Sequence, residues 1–171
     1  MRFLYDNEVE AWASDRGLRS ARGRALRDSL YYEVPEYRER TDLDARRPDL
    51  ALDLATSLVA ALGQWDEAVL WITRWGVWTS SEDWPRFYTV RGAQGERRSI
   101  DDTPGHHFSS GERDLLTEFT ALALQNGWDA FLVSSTGGKV NPVRARLSHD
   151  EWVEVQGTVP VSPIPSAVQP R

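Results

Sequence analysis

Two stretches of the chain repeat apolar residues at helical spacing. Over residues 48–62, Leu50, Leu54, Leu58 and Leu62 recur every fourth position beside Ala51, Ala55 and Ala61, while Asp49, Asp53 and Gln64 fall on the other side. That is the period of an amphipathic helix. Pro48 suits its first turn, where a missing N–H is not needed, and Gly63 suits its end. Over residues 111–126, Leu115, Leu116, Phe119, Leu122 and Ala123 form a second stripe. Ser109 and Glu112 stand before it at the spacing of a capping box, and Asn126-Gly127 closes it. An N-terminal helical segment is expected over residues 6–30 in two pieces. The first is capped by Asp6 or Asn7, turns Val9, Trp12 and Ala13 inward and stops at Gly17; the second, 19–30, carries arginines all round.

Shorter apolar runs predict strands. The stretch from Trp65 to Gly92 holds five of the eight tryptophans, at 65, 71, 75, 78 and 84. Within it residues 68–78 are apolar on both alternating faces as far as Ile72, as in a strand covered on both sides, and Arg74 then faces something polar. Residues 79–85 turn the chain, and 87–91 (FYTVR) is expected to return as the paired strand. Residues 31–34 read as a short strand stopped by Pro35, and 36–47 as a charged connection. Residues 130–135 form a strand apolar on both faces, followed by a Gly-Gly turn. In 143–147, Val143, Ala145 and Leu147 alternate with Arg144 and Arg146, a half-exposed strand that pairs with 152–156 across Ser148–Glu151. Pro142 makes it start late or lie on an edge. Residues 157–171 carry four prolines and are expected to be a flexible tail. The pattern as a whole predicts one α+β domain over residues 1–156, a mixed, mostly antiparallel sheet packed by the helices at 48–62 and 111–126.

The length of 171 residues fits a single domain with a substantial core. A formal charge of −6 argues against general attraction to nucleic acid or anionic lipid. The charge is uneven: residues 1–47 carry ten arginines against ten acids, and 100–156 carry nine acids against four basic residues. There are no cysteines, which removes disulfides, thiolate nucleophiles, zinc ribbons and iron–sulfur ligation together. No apolar run approaches the ~20 residues of a membrane span. A soluble, cytoplasmic protein with no membrane partner is expected.

The chemistry-bearing residues are few. There is no G-x-S-x-G elbow, no H-E-x-x-H and no dinucleotide fingerprint. Thr136–Lys139 lacks the leading glycine of a phosphate loop, and Pro142 follows where a helix must start. Asp101, Asp102, His106 and His107, joined in space by His149, Asp150 and Glu151, are the candidate cluster for a metal-dependent hydrolase or nuclease. Adjacent histidines tend to diverge, however, and Ser148–Glu151 reads more simply as a hairpin turn or helix cap. Arg16, Arg19, Arg22, Arg24 and Arg27, near Tyr31 and Tyr32, are candidates for nucleic-acid contact, opposed by Glu33, Glu36 and Glu39. Trp78, Glu82, Asp83, Trp84 and Phe87 are candidates for a partner-binding surface, because Trp dominates interface hot spots. The leading expectation is a small, non-enzymatic interaction or accessory protein, of the immunity or operon-partner type, that binds another protein and needs neither cofactor nor metal.

Overall fold

The computed structural model describes residues 1–19, 24–32, 36–42, 48–76 and 84–157. In chain order the elements are β1 (Arg2–Leu4), α1 (Asp6–Asp15), α2 (Leu26–Tyr32), β2 (Tyr37–Asp42), α3 (Pro48–Ala61), β3 (Glu67–Arg74) and α4 (Trp84–Ala93). There follow β4 (Gly105–Ser109), a 3-10 turn (Ser110–Glu112), α5 (Arg113–Gln125), β5 (Asp129–Thr136), β6 (Lys139–Val140), β7 (Val143–Ser148) and β8 (Trp152–Gly157). The strands make one sheet in the order β1-β4-β3-β5-β7-β8-β2, with β6 paired to the end of β5. Every pairing is antiparallel. The expected α+β domain forms.

β3 lies at the centre because its side chains are apolar on both faces, and each face has its own cover. Leu70 and Ile72 join Ala130, Leu132, Ala145, Leu147, Val153 and Val155 beneath α3 and α5 in the larger core. Val69 and Trp71 join Phe131 and Val133 beneath α1 and α2, through Val9, Trp12, Leu26 and Leu30. The two predicted helices hold, with Leu54, Leu58 and Leu62 of one and Leu116, Phe119 and Leu122 of the other buried. Gly63 and Gly127 end them with φ of 71° and 62°, a conformation that favours glycine.

Four expectations are corrected. Residues 87–91 are helical within α4, not a strand: Phe87 and Arg91, four apart, both point inward, and Pro85 fits the first turn. Tyr31 and Tyr32 end α2 rather than starting a strand, and residues 33–34 lie outside the described residues. The charged connection contains the edge strand β2, whose charges suit an edge that must not pair further. The stretch that holds the candidate cluster Asp101, Asp102, His106 and His107 runs into the strand β4, where both histidines are buried. In addition Tyr5, not Asp6 or Asn7, is the N-cap residue of α1, with its N–H donated to Glu8 Oε2 at 2.8 Å.

Candidate functional site

The candidate cluster of the alternative, metal-dependent reading does not assemble. His106 and His107 are neighbours in a strand, so their rings leave opposite faces of the sheet. His106 packs among Phe3, Phe87 and Phe119, and its Nδ1 lies 3.3 Å from the carbonyl of Leu70 and 3.1 Å from that of Pro104. Burial, reinforced by the charge of Arg91, pushes its pKa down to about 3. His107 faces α1, with Nε2 3.4 Å from Glu67 Oε1 and its ring against Trp12. Burial and the charge of Arg2 lower its pKa, and Glu67 opposes them. Asp101 and Asp102 are exposed in a turn. Among the described residues no group of three His, Asp or Glu side chains is placed to hold a metal.

The partner-binding set divides. Trp78, Glu82 and Asp83 lie outside the described residues. Phe87 is 1% exposed and belongs to the core. Trp84 is half-buried, 6.1 Å from Trp75 and 5.3 Å from Trp128 between ring centroids. The arginine set does not form one surface either. Arg16 donates through Nε to Glu67 at 2.9 Å, docking α1 on β3. Arg19 and Arg24 are exposed, and Arg22 lies outside the described residues. Arg27 goes elsewhere.

Arg27 lines an open cleft of about 530 Å³ at the end of the sheet, together with Arg74, Asp129, Arg146, His149 and Asp150. That volume lies within the range of small-ligand pockets. Its geometry starts from the chain's departure from strand regularity. The β3–β5 register runs Ile72↔Ala130 and then Arg74↔Asp129, so one extra residue, Thr73, is inserted. Without this bulge Arg74 would follow Leu70 and Ile72 onto the face covered by α3 and α5. With it, Arg74 shares the face of Asp129, Phe131 and Arg146. Re-aiming a side chain in this way is a common use of bulges beside functional sites. Arg27 of α2 donates to the carbonyl of Thr73, a group displaced from the regular ladder.

His149 follows β7 in the hairpin turn, and Asp129 fixes it. The Asp129 carboxylate, 9% exposed, accepts the backbone N–H of His149 at 2.8 Å and lies 2.9 Å and 3.0 Å from its Nδ1. A carboxylate there selects the tautomer in which Nδ1 carries the hydrogen. Nε2 lies 3.5 Å from Arg74 Nη1 and 3.4 Å from Asp150 Oδ1, both residues of the cleft lining. The same turn holds Glu151 at φ 59°, the one non-glycine residue with positive φ among the described residues. Strain of this kind gathers at sites that need a fixed geometry.

Sequence reasoning noted that Arg74 faces something polar, but the bulge that aims it has no local signature. Asp129 stands just before the predicted strand 130–135, and His149 falls within the predicted turn Ser148–Glu151. A polar run, His149-Asp150-Glu151, in so tight a hairpin is the signal that could have marked it. Compared with family models, with curated proteins and with solved structures, the chain finds no match in any of the three.

Proposed function

We propose that the chain binds a phosphate-type oxyanion in the cleft between Arg27, Arg74 and Arg146. The observation that carries this reading is the bulge at Thr73, which turns Arg74 onto the face where Asp129 holds His149. The lining also contains acids, yet they favour an anion over a cation. Of the three acids in the lining, Asp28, Asp129 and Asp150, Asp129 has both oxygens taken by His149 and Asp150 stands against Nε2, and among the described residues no three acidic or imidazole side chains converge on one centre. Guanidinium forks match the oxygens of phosphate in pairs, which ammonium groups do not. The protein-partner reading has its described residues in the aromatic cluster around Trp84 and Phe87, where Phe87 offers no surface.

Titration of the protein with inorganic pyrophosphate, followed through the imidazole C–H resonances of the three histidines, tests the proposal. The His149 signals shift and saturate while those of the buried His106 stay, and Arg74→Ala weakens binding about tenfold, the loss of one charge-assisted contact. No saturable shift at His149, or affinity unchanged in Arg74→Ala, overturns it.

The dyad favours a second reading. Nε2 is placed to take a proton from a bound ligand or water, and Asp150 would accept the hydrogen bond of the imidazolium that forms. Metal-free cleavage of an activated phosphodiester, lost in His149→Ala, is the expected result. Binding without turnover removes this second reading and leaves the first.

A further inference from the structure

The three strands beyond β5 carry a second row of arginines beside the cleft. By register, Arg40 of β2 and Arg146 of β7 both stand opposite Glu154 of β8, while Arg38 and Arg144 both stand opposite Gln156. Four guanidinium side chains therefore leave one face of the sheet as a grid. Its corners are about 10 Å apart across the strands and about 7 Å along them. This is the face of Phe131 and Val133, but the core beneath α1 and α2 contains residues of β3 and β5 and none of β7, β8 or β2.

The grid is ordered from below. Gln156 donates to Glu154 and accepts from Arg144 Nε at 3.0 Å, and both are buried, at 2% and 6% exposure. Arg38 Nη1 lies 3.8 Å from Glu154 Oε2. Trp152 sits between two guanidinium groups, 4.5 Å from that of Arg40 and 4.9 Å from that of Arg146. Arg146 also lines the cleft, so grid and cleft are continuous.

We infer that this face is a track for single-stranded nucleic acid, whose phosphates pass from β2 across the arginine grid to Arg146 and into the cleft. The inference rests on the anion-binding reading of the cleft. An acidic protein fits less well. A protein interface needs apolar anchors at its centre, and the large apolar side chain of the grid, Trp152, is already sandwiched between cations. A polyphosphate strand needs none, because its affinity comes from released counterions and guanidinium–phosphate pairs.

The test is fluorescence anisotropy of the full chain with an oligouridine of about 12 nucleotides, a length within the site sizes of single-strand grooves. Arg38→Gln/Arg40→Gln is the diagnostic variant, since both side chains are exposed on an edge strand outside the cleft. The wild-type chain binds with a steep salt dependence. The variant binds about tenfold more weakly at low salt, and its slope of log affinity on log salt is smaller by about 1.4, two phosphate contacts at 0.7 each. Pyrophosphate binding at His149 is unchanged in the variant, and a thermal melt of both chains verifies folding; Arg38→Gln alone serves if the pair unfolds. An oligonucleotide affinity that ignores the grid but falls in Arg74→Ala overturns the track and leaves the cleft reading intact. Loss of pyrophosphate binding in the wild-type chain overturns the cleft reading first. Tighter binding of an acidic peptide than of oligouridine overturns the choice of nucleic acid.

Discussion

His106 shows how one residue's surroundings set a property of the whole chain. Its ring is fully enclosed and neutral, with a pKa near 3 against the ordinary 6.5. Between those values the unfolded chain binds a proton that the fold does not, so stability rises with pH there and falls as the solution is acidified. One such histidine contributes a slope of about 1.4 kcal/mol per pH unit in the window. His107 is shifted in the same direction. Glu96 is held at about 2 by its bonds from Arg98, and Glu112 at about 2 because Ser109 and the N-terminal ammonium outweigh burial. Both have an ordinary value of 4.5, so they add to acid sensitivity only below that pH. Urea unfolding between pH 6 and pH 5 therefore reads the histidines, and His106→Phe is expected to reduce the slope there by about 1.4 kcal/mol per unit. An unchanged slope would mean that the ring is not a neutral, buried group. The sequence presented His106 as a candidate ligand because a histidine in a polar run looks solvent-facing. Burial on both faces of a five-residue strand is decided by α1, α3 and α5 and leaves no local trace.

At the scale of elements, the helices with long apolar stripes were legible and the short, mixed segments were not. α3 and α5 repeat leucine over three or more turns, which no strand can satisfy. α4 reads locally as a strand, since FYTVR is rich in β-favouring residues. Its helical state comes from tertiary packing: Phe87 meets Trp128 and Phe119, and Arg91 is enclosed with its guanidinium 4.6 Å from the Phe3 ring and Nη2 bonded to Thr103 at 2.7 Å. An arginine that is 1% exposed defeats any pattern that counts arginine as outward. The docking of α1 on β4 depends on a position with no side chain. A Cβ on Gly105 would overlap Val9 Cγ2 and come within 3.0 Å of Leu4 Cβ. Gly105→Ala is expected to cost about 1–3 kcal/mol, as overpacking does in cores with stiff neighbours. Adding Val9→Ala should return part of that loss, and thermal melts of the single and double variants measure it. Additive losses would show that α1 does not press on β4 there.

At the scale of the whole molecule, the second core includes, among the described residues, none from β7, β8 or β2, and the candidate surface lies on those strands. Balanced charge over 1–47 and an excess of acids over 100–156 give no impression of a shared basic surface. Strand order creates one: pairing β2 with β8 brings Arg38 and Arg40 to Arg144 and Arg146 across more than 100 residues of chain. Such convergence depends on non-local pairing, so no window of sequence reveals it. The same layout predicts the order in which the fold opens. β3 and β5 are buried on both faces and paired on both edges, whereas β2 is paired on one edge and lies beyond the second core. Opening β2 exposes little apolar surface, while opening β3 separates both cores, which amounts to global unfolding. Native-state amide exchange should therefore be slowest at Leu70 and Leu132. It should be faster by at least about 100-fold at the β2 amides bonded to β8, the ratio produced by roughly 3 kcal/mol of difference in opening free energy. If a single-stranded ligand tracks over β2, adding oligouridine should slow exchange in β2, and in β3 by a comparable factor, because the global unfolding that exposes β3 also destroys the ligand's site. Slowing in β3 with exchange in β2 unchanged would mean that the ligand stays bound when β2 opens, and would remove the grid as its location.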